Sequence, residues 1–194
     1  GFWVLEPAEQ AAYKTRIVVY SPVDPADFNG IVQMEWLNVT AGFETPPSWG
    51  TGQLEMRRGG SVWVGVSAQL IGIEGSERAL LPLHLKAVDP ARYGSLLHPG
   101  DSFSYDMFSQ VANAIRNPGA IDVLGGITAE YIIAYGESQS AGRLVTYVNG
   151  LQPLYGTFDG YMIHSRGDGA SPISQGPMTS ISAPAAPLVR TDLS

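Results

Sequence analysis

Residues 131–140 constrain the fold of this chain most. The run Tyr131-Ile132-Ile133-Ala134-Tyr135 is apolar and β-favouring, and Gly136-Glu137-Ser138-Gln139-Ser140 follows it without a spacer. A helical pattern then carries Leu144, Val145 and Val148 to a stop at Asn149-Gly150. A strand that enters a helix through so short a turn is crowded, so the residues two before and two after its centre must be small. Gly136 and Ser140 meet that condition. Such a turn raises the central hydroxyl above the sheet and places it at a helix N-terminus, where free N–H groups favour developing negative charge. Ser138 takes that place, which is where acyl transfer needs its activated nucleophile. A second register centred on Ser140 also fits, with Gly142 as its last small residue, but it needs the strand to continue through Glu137. The end of the apolar run at Tyr135 favours Ser138. A simple helix cap formed by the two serines is the reading without chemistry.

The rest of the chain alternates in the same manner. Arg16 to Tyr20, Ile31 to Val39, Ser61 to Ala68 and Phe158 to His164 read as strands. The second and third are apolar on both faces, as in a parallel sheet covered on both sides. Helical stretches are predicted near Leu54–Arg58, at Ala79–Leu85, and from an N-capping Asp101 to Asn117-Pro118-Gly119. Gly167 to Pro187 reads as loop. Strands alternating with helices argue for a single α/β domain over residues 1–194, built on a mostly parallel, doubly wound sheet with helices on both faces.

Composition removes several function classes. The net charge is −7, and the basic residues cluster no further than Arg57-Arg58, so the chain lacks the patch that nucleic acid or an anionic membrane requires. The absence of cysteine rules out disulfides, thiolate metal sites and a cysteine nucleophile. No run of about 20 apolar residues suggests a membrane span. No His/Asp/Glu spacing suggests a metal site, and no glycine-rich fingerprint suggests a phosphate-bearing cofactor, so none is expected.

A nucleophile at Ser138 needs an oxyanion hole. The backbone N–H of Gln139 supplies one donor, and the loop Thr40-Ala41-Gly42 supplies the other through Thr40 or Ala41. His98, in a Pro/Gly loop, is a structural residue or borders the pocket. His164 ends a strand after Ser138 and reads as a packing or pocket-lining residue more readily than as the base. Asp168, in the loop that follows, is a solvated aspartate or the acid. Phe43 and Trp49 line an acyl or alcohol pocket, or pack. Glu35, inside an apolar strand, must be hydrogen-bonded, and Glu137 reads as structural. Asn38-Val39-Thr40 matches a glycosylation sequon by chance.

Several segments together resemble the α/β-hydrolase-domain proteins of bacteria, of secreted or periplasmic type. They are Thr15-Arg16-Ile17, Phe28-Asn29-Gly30, Glu35-Trp36-Leu37-Asn38-Val39, Asp89-Pro90 with Arg92-Tyr93-Gly94, His98-Pro99-Gly100-Asp101, Gly136 through Ser140, and Arg190-Thr191-Asp192. The resemblance implies the α/β-hydrolase fold and an esterase-like activity on a small-molecule ester, with an oligomeric state that the sequence leaves open. It also implies a fragment incomplete at both ends, whose catalytic acid and histidine follow residue 194. A non-catalytic binding protein with this fold, or an inactive fragment, is the competing expectation.

Overall fold

The structure, a computed structural model, describes residues 5–6, 9–77, 79 and 81–174. Arg190-Thr191-Asp192 and most of the expected loop to Pro187 lie outside the described residues.

Five strands form one sheet: β1 (Ile17–Tyr20), β2 (Ile31–Trp36), β3 (Val62–Val66), β4 (Tyr131–Glu137) and β5 (Gly160–His164), in the order β1-β3-β2-β4-β5. β1 runs antiparallel to β3, and the other four are parallel. The alternating faces of the strands explain the layers. Val32, Met34 and Trp36 of β2, Val62, Val64 and Val66 of β3, and Ile132 and Ala134 of β4 all point to one side and are fully buried. There they meet the helix α5 (Ser104–Arg116), whose Tyr105, Phe108, Ala112 and Ile115 recur at helical spacing. The Trp36 ring lies 4.9 Å from that of Phe108 and 5.4 Å from that of Tyr105. The elbow helix α6 (Gln139–Thr146) adds Leu144 to the same core. The opposite face carries the helix α1 (Pro47–Arg58) and a smaller cluster of Leu37, Met56 and Trp63. Among the described residues there are also four short α-helices: α2 (Leu70–Glu74), α3 (Leu85–Val88), α4 (Pro90–Tyr93) and α7 (Gln152–Tyr155).

Four local expectations are corrected. α1 begins at Pro47, not near Leu54, because Pro47 occupies the first helical position and Glu35 receives the N–H groups of Ser48 and Trp49 at 2.7 and 3.0 Å. Among the described residues of Ala79–Leu85 the expected helix does not form: the helices here are α2, before it, and α3, which starts at Leu85. Asp101 does not cap α5. Its buried carboxylate accepts from Leu70 N–H at 2.8 Å, so it holds the first turn of α2 instead. Asn149-Gly150 does not stop the elbow helix, which passes through a π-helical segment, Tyr147–Leu151, into α7. Gly156, with φ +56°, makes the left-handed turn that ends it.

The topology fixes where a ligand can sit. From β2 the chain moves through α1 to β3 on one side, and later returns to place β4 on the other side of β2. Connections therefore diverge from the carboxyl ends of β2 and β4, and that divergence opens a crevice. The two segments at its mouth are the loop after β2 and the turn after β4.

Candidate active site

The turn after β4 is strained at one residue. Ser138 has φ +56° and ψ −113°, is exposed, and connects Glu137 directly to the first residue of α6. A side chain at such angles costs roughly 1–3 kcal/mol and persists only where the surroundings hold it. Gly136 shows how tight they are: a Cβ there would lie 2.8 Å from Ser140 O and 2.9 Å from Leu144 Cδ1. Ser140 is fully buried within α6. The strand does continue through Glu137, contrary to the stop at Tyr135, yet the turn still centres on Ser138, because the backbone reverses there. A Cβ on Gly142 would meet Ser171 Oγ at 3.0 Å, so that glycine admits the loop after β5.

Neighbouring strand ends grip the turn on both sides. Ser138 N–H donates to His164 C=O at the end of β5 (3.1 Å), and Asn38 Nδ2 donates to Glu137 C=O from the end of β2 (2.9 Å). Gln139 opens α6, where first-turn N–H groups lack helical acceptors. In the loop after β2, Thr40 N–H donates to Asn38 Oδ1 at 2.8 Å and Gly42 N–H to Val39 C=O at 2.9 Å. Among the described residues nothing accepts from Ala41 N–H, and Ala41 is exposed. Of the Thr40/Ala41 pair, the geometry thus leaves Ala41 as the available donor.

The remaining candidates are dispersed. His98 is buried, with Nε2 3.0 Å from Ala68 C=O and Nδ1 accepting from Gly100 N–H at 3.2 Å. Burial lowers its pKa, so it is a neutral loop-holding residue. The ring of His164 turns to the α1 face, with Nε2 3.3 Å from Ser48 Oγ and Nδ1 3.4 Å from Ser165 Oγ. It lines a cavity of about 360 Å³ there with Gln33, Ser48, Tyr135 and Met162. Trp49 stacks on Tyr20 at 4.7 Å and packs on Trp63 at 5.0 Å, which makes it part of that face's aromatic cluster. Phe43 is half-buried in the loop after β2, and Asp168 is exposed in the loop after β5. Among the described residues no side chain bonds Ser138 Oγ, and no group of three or more His, Asp or Glu could hold a metal ion. No helix there is long and apolar enough to cross a membrane.

Glu35 is fully buried and accepts from Ser48 N, Trp49 N and Trp63 Nε1. Burial pushes its carboxyl above the usual range, and its hydrogen bonds to Ser48, Trp63 and Trp49 oppose that only in part. Sequence reading left Asn38 out of the site. It registered only in a sequon and within the segment 35–39 that carries the resemblance, although the residue is 4% exposed and its amide bonded at both ends, out of reach of modification. The signal that identifies it is a carboxamide at the buried end of a strand that neighbours the elbow.

A strained serine between a parallel strand and a helix, beside a topological switch point, is one arrangement of the α/β hydrolases. The model of the alpha/beta hydrolase domain family matches residues 1–194. The chain belongs to that family. No curated protein and no solved structure matches it. Membership of the hydrolase-domain family points to a hydrolase-type activity and accounts for the mostly parallel sheet with helices on both faces.

Proposed function

We propose that this hydrolase domain cleaves carboxylic esters of small molecules through an acyl-enzyme on Ser138. The observation that carries the reading is the backbone of Ser138. A positive φ at a non-glycine residue, in an exposed turn bounded by β4 and α6, is the strain expected where a hydroxyl is presented for attack. Ser138 Oγ would add to the ester carbonyl while a general base takes its proton. The oxyanion would lie between Gln139 N–H and Ala41 N–H, and as the carbonyl re-forms the same group would return the proton to the departing alcohol oxygen. Water, deprotonated by that base, would then add to the acyl-enzyme carbonyl, and the acid would leave as Ser138 Oγ regains its proton.

The test uses short p-nitrophenyl esters and a fluorophosphonate probe. Turnover should fall about a thousandfold or more in Ser138→Ala, and the probe should label Ser138 alone, located by peptide mass spectrometry. Undiminished turnover in the variant refutes the assignment. A folded protein that neither turns over ester nor takes the label is instead a binding protein with a hydrolase fold.

A further inference from the structure

We propose that Asn38 is a positioning residue that sets the distance between the elbow and the oxyanion loop; this rests on the hydrolytic reading of Ser138. Asn38 is 4% exposed and makes four kinds of tether. Its Nδ2 donates to Glu137 C=O, the carbonyl of the peptide that leads into Ser138. Its Oδ1 accepts from Thr40 N–H two residues on. Its own N–H donates to Thr45 C=O at 2.9 Å, and its C=O accepts from Thr45 N–H at 2.8 Å and from Thr45 Oγ1 at 3.3 Å. The backbone bridge to Thr45 closes the loop at its base. The side chain then fastens the start of that loop to a segment 99 residues away in sequence.

Only a carboxamide can do both parts at this length, because one end donates and the other accepts. Aspartate would keep the acceptor for Thr40 but set a carboxylate oxygen against Glu137 C=O. Alanine would free both. By engaging Thr40 N–H, Asn38 withdraws that donor from the crevice, while the next one, Ala41 N–H, has no acceptor among the described residues. The side chain therefore selects which amide faces the oxyanion and fixes its separation from Gln139 N–H. An oxyanion hole acts on charge present only in the transition state, so a shift of one donor should appear in kcat and not in KM.

Two measurements test this. In Asn38→Asp, kcat for p-nitrophenyl esters should fall about a hundredfold while KM stays within about twofold. Asn38→Ala should fall at least as far, and the urea midpoint should confirm that each variant is folded. In the unsubstituted chain, amide hydrogen exchange by NMR should find Thr40 protected and Ala41 unprotected, with Ala41 becoming protected after phosphonylation. A folded N38D protein with unchanged kcat overturns the proposal, as does a protected Ala41 amide or an unprotected Thr40 amide before labelling. If the hydrolytic reading fails, Ser138→Ala shows it separately, through turnover that does not depend on Ser138. The exchange pattern of Thr40 and Ala41 decides the tether even in a chain without turnover.

Discussion

The two faces of the sheet bury carboxylates by opposite means. On the α5/α6 face, Asp101 accepts from Arg143 Nη2 at 2.9 Å, and both side chains are at most 3% exposed. Leu70 N–H completes the site, with the Gln69 amide at 3.4 Å. On the α1 face, Glu35 has no cation among its bonded partners in the described residues. It is held by three neutral N–H donors, two of them from the first turn of α1. The packing around them differs as well. The first face is a continuous aliphatic and aromatic core, whereas the second mixes Gln33, Glu35, Tyr135 and the half-exposed Met162 with a cavity. A full counter-charge makes the Asp101 site dependent on its partner. Dipolar donors leave Glu35 at odds with its surroundings, and its raised pKa records that conflict.

The largest effect should come from removing the cation. Arg143→Met leaves the buried Asp101 carboxylate without its counter-ion and should cost about 3–5 kcal/mol by urea unfolding. Adding Asp101→Asn to that variant should recover part of the loss, since it removes the stranded charge. Equal destabilisation in the single and double variants would show that Arg143 matters through packing, for instance against the Tyr105 ring 5.7 Å away, and not as a counter-ion.

Glu35→Gln should act less strongly and with a distinct pH dependence. Folding raises the Glu35 carboxyl above its ordinary 4.5, so the folded chain holds this proton more tightly than the unfolded one. Stability from this group is complete below about pH 4.5 and declines as the pH rises through the folded value. The E35Q variant lacks that decline. At acid pH the variant should be the less stable protein by about 1–2 kcal/mol, because one amide hydrogen then opposes an N–H donor. The gap should narrow as pH rises. Glu44, also pushed up by burial despite Arg16, titrates in both proteins and cancels in the difference. A difference that stays flat from acid to neutral pH would place the Glu35 proton equilibrium where it lies in the unfolded chain, and the contrast between the faces would be lost.

These contrasts explain what could be read from sequence. β2, β3 and β4 were legible because the faces they bury against α5 are apolar at every position, from Val32, Met34 and Trp36 through Val62, Val64 and Val66 to Ile132 and Ala134. The turn at Ser138 was legible because its steric demands fall on adjacent residues, Gly136 and Ser140. The start of α1 was not, since Ser48-Trp49-Gly50-Thr51-Gly52 has poor helix propensity and the carboxylate that holds its first turn lies 13 residues earlier. The role of Asn38 was hidden for the same kind of reason: its partner at Glu137 becomes a neighbour only when β4 pairs with β2. Asp101 resembled a local cap, but its carboxylate serves a helix 31 residues earlier. Local rules located the elements, and the order of the strands decided which polar groups met.

The smallest expected effect tests the α1 face directly. Met162 projects from β5 beside the cavity and is 47% exposed, whereas Ile132, on the neighbouring strand but facing α5, is fully buried. Truncating Ile132 to alanine removes packed methyl groups and should cost about 2–5 kcal/mol. Truncating Met162 removes a side chain that still touches water and should change stability by no more than about 0.5 kcal/mol. The measurement is the urea midpoint of each variant at two protein concentrations. A loss above about 1 kcal/mol for Met162→Ala that grows with concentration would mean that a second copy covers this face in solution, since association stabilises by mass action. A loss of that size independent of concentration would mean that the face is packed within the chain itself. Either result would remove the asymmetry on which the comparison rests.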